Sequence, residues 1–328
     1  MSVSIRLLNA EAVRELLPVE RCIPLMREAM VLVAQGKARQ PIRQFMNQPD
    51  GRGLLGLMPG HIGKPEWLGI KVITVFPGNF GTEFGSHQGM VLLFDTRNGA
   101  PKAILDAREI TAIRTAAATA VATDVLAPKK VRSLALFGYG EQARTHAMAL
   151  MQVRRFEEII VWGRDIERAR SLISELLGKL DCSMRAVAKA EEAAGADVVC
   201  TLTAAAEPFY QAAWLRPGQH LNLVGSGVPS TSEVEPEVVQ RSRYFTDYKE
   251  SALVLAGEFI RARQAGLVDD DHILGSIGDV LEGKIAGRKD ASDITVFKSL
   301  GMIAEDLISA DFVLAQALQR GLGSVVEW

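Results

Sequence analysis

The chain has 328 residues, enough for about two domains at roughly 100–200 residues each and for a large apolar core. Hydrophobic residues make up 48% and charged residues 23%, which excludes a disordered, collagenous or coiled-coil chain. Lys plus Arg number 37 and Asp plus Glu 39, and the resulting net charge of −2 argues against a general nucleic-acid binder. The cysteines Cys22, Cys182 and Cys200 form no CxxC pair, and the histidines form no HxxxH ladder. A disulfide framework, a zinc ribbon and a protein-built metal site are therefore not expected. The first residues carry neither a secretory apolar region nor a membrane span, so a soluble, cytoplasmic setting is expected.

Residues 5–40 predict a short strand and then helices, with Leu25, Met26, Met30, Val31 and Val33 on one stripe. From residue 40 to 95, β-rich runs such as 69–75 and 90–94 alternate with Gly, Pro and Asn turns. They predict a sheet of mostly antiparallel strands. Residues 107–127 predict a long helix of Ala and Thr whose small side chains let another backbone come close. Pro128, Lys129 and Lys130 close it, and a domain boundary is placed there. Beyond Val131, strands over 133–138, 158–162, 184–187, 196–202 and 220–224 alternate with helices over 141–153 and about 165–180. That alternation predicts an α/β fold with a doubly wound parallel sheet. The last pattern, 299–320, predicts a long amphipathic helix.

The strongest local motif runs Gly138-Tyr139-Gly140-Glu141-Gln142-Ala143, a G-x-G-x-x-A turn between a strand and a helix. The first glycine permits the tight turn, and the second lets the backbone approach a pyrophosphate. Ala143 lets helix and strand pack, and the helix N-terminus favours phosphate. The second strand stands at the expected distance, so a dinucleotide site is expected. An acidic residue at the end of that strand would hold a ribose diol and select NAD. Gly163 stands there instead, and Arg164 follows, with Arg168 one turn on. A guanidinium can hold a 2′-phosphate, so NADPH is favoured, with NADH as the other option. Asp165 reads equally as a ribose contact or as the helix N-cap.

With both halves laid out, the chain resembles the ornithine cyclodeaminase/mu-crystallin family over nearly its whole length. The resemblance rests on Pro41-Ile-Arg43, Leu54 to Pro59, Gly69-Ile-Lys71-Val, Ser86-His87-Gln88-Gly to Phe94, and Ile113-Arg114-Thr. In the second half it rests on the glycine turn, 194–199, Val224-Gly225 and Thr295-Val-Phe297-Lys298-Ser299-Leu-Gly-Met302. It implies a Rossmann NAD(P)-binding domain over 129–298. A substrate-binding and dimerisation domain would span 1–128 with about 299–328, in a homodimer. It further implies chemistry on small 2-amino acids and their imines, without nucleic acid or membrane partners. By the resemblance, Arg43 and Arg114 hold the substrate carboxylate and Lys71 serves the reacting carbon. Ser86, His87, Gln88, Thr203, Val224, Phe297, Lys298 and Ser299 would lie along the cofactor.

The residues support some of these roles by themselves. A planar carboxylate is best fixed by guanidinium forks. Lys71 sits in a β-branched run, where it either snorkels to solvent or is desolvated and exchanges a proton near neutral pH. Arg114 among small apolar residues is either an exposed helix residue or a functional one, and His87 either packs locally or touches cofactor. The segment 250–290, with Glu258, Arg261, Arg263 and the run Asp269-Asp-Asp271, matches the family loosely, and His272 in it either reaches the pocket or lies on a solvated face, the second reading being favoured.

Two departures separate this chain from the cyclodeaminases that it resembles. Gly227 stands where those proteins carry an aspartate, and Met58 where they carry a glutamate near the ornithine side chain. Lys298 in the closing motif is similar to the mu-crystallin branch. These point to an NADPH-dependent reductase of a cyclic imino acid or ketimine. The alternatives are an ornithine or lysine cyclodeaminase with tightly bound NAD, a 2-amino acid dehydrogenase, and a crystallin-like NADPH-dependent binder of small ligands.

Overall fold

The computed structural model describes residues 3–79 and 82–328. In chain order come β1 (Ser4–Leu8), α1 (Ala10–Leu16), α2 (Val19–Ala34), β2 (Ala38–Arg39), β3 (Gln44–Asn47), β4 (Leu54–Gly63), β5 (Glu66–Val75), β6 (His87–Phe94), β7 (Pro101–Asp106) and α3 (Ala107–Leu126). There follow β8 (Ser133–Phe137), α4 (Glu141–Leu150), β9 (Glu158–Trp162), α5 (Ile166–Leu176), β10 (Ser183–Val187), α6 (Glu191–Ala194), β11 (Val198–Thr201) and β12 (His220–Leu223). The remainder is α7 (Pro236–Gln240), β13 (Arg243–Thr246), α8 (Lys249–Leu255), α9 (Gly257–Gln264), β14 (Ile273–Ser276), α10 (Ile277–Leu281), β15 (Thr295–Lys298), α11 (Ile303–Arg320) and β16 (Ser324–Glu327). Among the described residues no helix is long and apolar enough to cross a membrane.

The chain divides into two compact units, residues 1–114 with 302–328, and residues 115–301. The division falls inside α3, after Arg114, and not at the helix end marked by Pro128. The physical reason is the small-residue stretch 116–122, whose side chains are all buried and which belongs with the second unit. The last carbonyls of α3 meet cations. Arg154 donates to the carbonyls of Thr123, Asp124 and Ala127, and Arg288 to that of Leu126. Positive charge there satisfies the unpaired acceptors and the helix dipole.

In the first unit one sheet runs β16-β1-β7-β6-β5-β4-β2, with β3 also on β4. It is antiparallel except where β1 meets β7. Side chains alternate with period two. On β4, Gly56, Met58, Gly60 and Ile62 are buried, while Leu55, Leu57, Pro59 and His61 are half-buried. The buried face packs against α11. That helix starts at Ile303 and not at the expected residue 299. Gly301 takes a left-handed φ of 81°, and the Leu300 and Gly301 N–H groups are both captured by the Asp247 carboxylate. Helical geometry cannot begin until that turn is complete.

In the second unit all eight strands of the sheet are parallel, in the order β10-β9-β8-β11-β12-β15-β13-β14. The chain reverses direction across the sheet between β8 and β11. A doubly wound sheet offers its ligand crevice at such a switch point, outside the carboxyl ends of the strands.

Candidate active site

The first cluster lies in the first unit and is built by cross-strand register. Lys71 on β5 pairs with Met58 on β4 and with Val91 on β6, so all three share the buried face. Beside them Gly60 pairs with Gly69. A Cβ on either glycine would overlap an α11 side chain, Ile303 or Leu307 respectively. Two missing side chains thus let α11 press onto the sheet, and its Asp306 reaches Lys71.

The contacts are specific. Lys71 Nζ donates to Asp306 Oδ1 at 2.9 Å, and Arg114 Nε donates to the same oxygen at 3.0 Å. Arg114 Nη1 donates to Glu305 Oε2 at 2.9 Å, and that oxygen also accepts the Met302 N–H at the start of α11. Lys71 is 1% exposed and Arg114 4%, so neither snorkels to solvent. Arg43 lies one residue before Gln44, which pairs with Leu57, so the register brings it level with Met58. The structure therefore brings Arg43, Lys71 and Arg114 together. Burial lowers the Lys71 pKa to about 8; the charge of Arg114 and, more weakly, that of Arg43 add to the lowering, and Asp306 opposes it. Asp306 itself is held below the ordinary carboxylate range. Burial would raise it, but the Arg114 and Lys71 charges outweigh that.

Several polar atoms of this unit are buried without a hydrogen-bond partner. They include both amide atoms of Gln40 and Asp306 Oδ2. Buried polar atoms are normally satisfied, so each of these is an atom that a polar ligand or a water would satisfy. Ser86 immediately precedes β6, and His87 and Gln88 open it, four and three residues before Val91. His87 and Gln88 are exposed, and Ser86 Oγ is 2.9 Å from His87 Nδ1.

The second cluster lies in the second unit, at the carboxyl ends of β8, β9, β11 and β12. Gly138 has a φ of 130°, and a Cβ there would come within 2.7 Å of the Leu202 carbonyl. A Cβ on Gly140 would meet nothing within 4 Å, which leaves room for a pyrophosphate. The N-terminus of α4 carries no side-chain cap, Ala143 is fully buried, and Gln142 Oε1 is buried without a partner. These features fit a dinucleotide. Glu141 opens α4. After β9, Gly163 lies against the Tyr139 ring. Asp165 takes the N-cap position of α5, accepting from the Glu167 and Arg168 N–H groups. Arg164 and Arg168 are exposed beside it, and Arg168 stands 6.0 Å over the Tyr139 ring.

The remaining sequence candidates divide. Thr203 and Val224 lie in the loops after β11 and β12, and Ser299 N donates to the Leu223 carbonyl. Phe297 is a core side chain with no exposure, and the Lys298 ammonium is equally buried. Both point inside the second unit, so any cofactor contact they make comes from their main chain. His272 is half-buried and bonded to the Val239 carbonyl at 2.7 Å, so it does not lie on the expected solvated face, and Glu258 is 1% exposed.

Sequence reasoning missed Glu305 and Asp306, which sit in a helix that reads as amphipathic. The usable signal was two adjacent carboxylates flanked by Ile303, Ala304, Leu307 and Ile308. Acids amid apolar neighbours on every side of a helix imply burial and hence partners. Two other acids could have replaced the missing aspartate at position 227, but both are fully engaged. Glu233 accepts the Thr203 and Gly225 N–H groups and the Thr203 hydroxyl. Asp247 accepts the Tyr248, Leu300 and Gly301 N–H groups.

The family model for the ornithine cyclodeaminase/mu-crystallin family matches residues 4–321. The ketimine reductase mu-crystallin of Mus musculus is 34% identical over 311 residues, covering 93% of this chain and 95% of that protein. Among solved structures, the Thermococcus litoralis Δ1-pyrroline-2-carboxylate reductase in complex with NADH and L-proline superposes with a TM-score of 0.95 at 32% identity. The match covers 97% of this chain and 99% of that one. An archaeal alanine dehydrogenase dimer with bound NAD gives a TM-score of 0.93 at 28% identity, over 98% and 99% of the two chains. A parallel sheet with a glycine turn in one unit, a cationic cluster in the other, and these full-length matches agree: the chain belongs to the ornithine cyclodeaminase/mu-crystallin family.

Proposed function

We propose that the protein is an NADPH-dependent reductase of 2-imino acids, cyclic imines or ketimines of 2-oxo acids. The observation that carries this reading is the convergence of Arg43 and Arg114 on Lys71, which shares a buried sheet face with an apolar neighbour, Met58. Arg43 and Arg114 hold the substrate carboxylate, which orients C2 and its nitrogen. A reduced nicotinamide, when bound, supplies hydride to C2. Lys71 gives its ammonium proton to the substrate nitrogen, and Asp306 holds the lysine in place. Met58 gives no charge to a distal ammonium, and Glu233 and Asp247 are held by other donors and do not stand in for an aspartate at position 227. Both features favour reduction over deamination. Arg164 and Arg168 offer cations to a 2′-phosphate while Asp165 is occupied as a helix cap, which favours NADPH over NADH.

The test is an absorbance assay of NADPH and NADH oxidation with pyrroline-2-carboxylate and piperideine-2-carboxylate. Turnover of at least one imine is expected, with the higher kcat/KM for NADPH. Ammonia release from ornithine without imine turnover would overturn the reading.

The working form is a homodimer in this proposal. The sheet face away from α11 aligns Leu57, Val72 and Met90 in one row and Pro59, Ile70 and Leu92 in the next, all half-buried or exposed. An apolar face of this kind needs cover, and a second copy supplies the matching surface. Light scattering is expected to give twice the chain mass of 35.6 kDa. Met90→Glu should raise the monomer fraction, and a wild-type monomer would refute the assignment.

A further inference from the structure

Three charged side chains of the second unit are buried next to the loops at the carboxyl ends of β11 and β12, and the reaction above uses none of them. Glu233 is 2% exposed, Glu258 1% and Lys298 0%. Glu233 joins the two loops. Its Oε1 accepts the Thr203 N–H and hydroxyl at 2.7 Å each, and its Oε2 accepts the Gly225 N–H at 2.8 Å. Lys298 Nζ donates to the Ser226 carbonyl and lies 3.1 Å from Glu258 Oε1. Ser226 Oγ donates to Glu258 Oε2 at 2.9 Å, and the Tyr244 hydroxyl donates to Glu258 Oε1 at 3.1 Å.

The loops so tied form a continuous rim with the glycine turn. Gly138 abuts the Leu202 carbonyl, and Gly225 abuts the Thr203 carbonyl so closely that neither position admits a Cβ. The next residue, Ser226, is the one that Lys298 grips. Desolvating ions in a core is costly, and apolar packing of the same volume is commonly as stable. What such a network adds is a single fixed geometry for the groups that it touches. Here those groups are main-chain atoms at the switch-point end of a dinucleotide fold, on the far side of the loops from the Arg164 end.

We propose that Lys298, tethered by Glu258, is a positioning residue that pins the turn 224–227, so that its main chain is presented in one geometry to the nicotinamide half of the bound cofactor. This rests on the cofactor reading above. The pair acts through Ser226 and touches neither substrate nor cofactor.

The test is the double variant Lys298→Met/Glu258→Met, which removes both charges of the ion pair together, while Glu233 keeps its hydrogen bonds from Thr203 and Gly225. Binding of NADPH is compared with binding of 2′-phospho-ADP-ribose, which lacks the nicotinamide ring, and kcat and Tm are recorded. The fragment is expected to bind as tightly as to the wild type, with Tm within a few degrees. NADPH should bind more weakly, and kcat should fall about 100-fold, the scale of a small misplacement of a reacting group. If NADPH and fragment change in the same proportion, or if neither changes and kcat is retained, the positioning role is wrong. If the wild type binds neither molecule, the cofactor reading fails and takes the proposal with it. The single variant Lys298→Met separates the two charges: it should reproduce the kcat loss with a lower Tm, because Glu258 is then left without its cation. Wild-type kcat in this variant would also overturn the proposal.

Discussion

Replacing Lys71 with Met is expected to lower kcat for imine reduction by about 10²–10⁴-fold, the range for loss of one positioned general acid. NADPH affinity should be unchanged, because the lysine belongs to the substrate cluster. Met is close to Lys in length and apolar, so it fits a position that is 1% exposed. Asp306 keeps the Arg114 Nε contact at 3.0 Å, so the carboxylate is not stranded. The pH dependence follows from the charge state that the reaction needs. Lys71 acts as its ammonium, and burial with the Arg114 and Arg43 charges brings its pKa down from 10.5 to about 8. Wild-type kcat/KM should therefore be level below pH 8 and fall above it. In Lys71→Met the residual rate should lose that alkaline limb. A variant that keeps more than a tenth of the wild-type rate, or one that retains the limb, would remove Lys71 from the mechanism.

Asp306→Ala should be the most destabilising single change in the cluster, by about 3–5 kcal/mol, the usual effect of removing one partner of a buried ion pair. Asp306 Oδ1 is the shared acceptor of Lys71 and Arg114, and the side chain has no solvent exposure. Without it two cations face each other in a dry setting. Tm is expected to fall by roughly 10 °C, taking 2–4 °C for each kcal/mol. Lys71→Met/Asp306→Leu removes both charges and should recover most of that loss while staying inactive. The sign with pH is set by a depressed acid. The folded pKa of Asp306 lies below 3.8, so its stabilising contribution is present above the unfolded value and is lost as pH falls through the folded one. Melting curves from pH 3 to pH 7 should show this loss in the wild type and a shallower dependence in Asp306→Ala. Equal melting temperatures at pH 7 would show that the cluster does not stabilise the fold.

Much of the architecture is legible in local patterns. The glycine turn, the strands β8 to β12 and α3 follow from hydrophobic period, turn residues and breakers, each a matter of a few neighbouring residues. The strands β13 and β14 escaped, because four-residue segments such as Arg243–Thr246 carry too little pattern to separate strand from loop. The start of α11 was displaced for a nonlocal reason: Asp247, more than fifty residues upstream, captures the two N–H groups before it. The burial of Glu258 was not legible for the same reason. Its partners Ser226, Tyr244 and Lys298 come from three other parts of the chain.

The sequence by itself determined the cofactor turn and the helix-capping option at Asp165, which depend on residue identity and short-range geometry. The choice of Arg43, Lys71 and Arg114 and the meaning of the missing acids at positions 58 and 227 came from the family resemblance of its motifs. Only the tertiary structure decided that Lys71 is buried and not snorkelling, that Asp306 shares one oxygen between Lys71 and Arg114, and that Lys298 grips Ser226. Lys71 and Asp306 are 235 positions apart. Charge state and partnership depend on desolvation and on distances of a few ångströms between such remote segments. Packing alone sets those quantities, as α11 shows where it presses onto the Gly60–Gly69 pair.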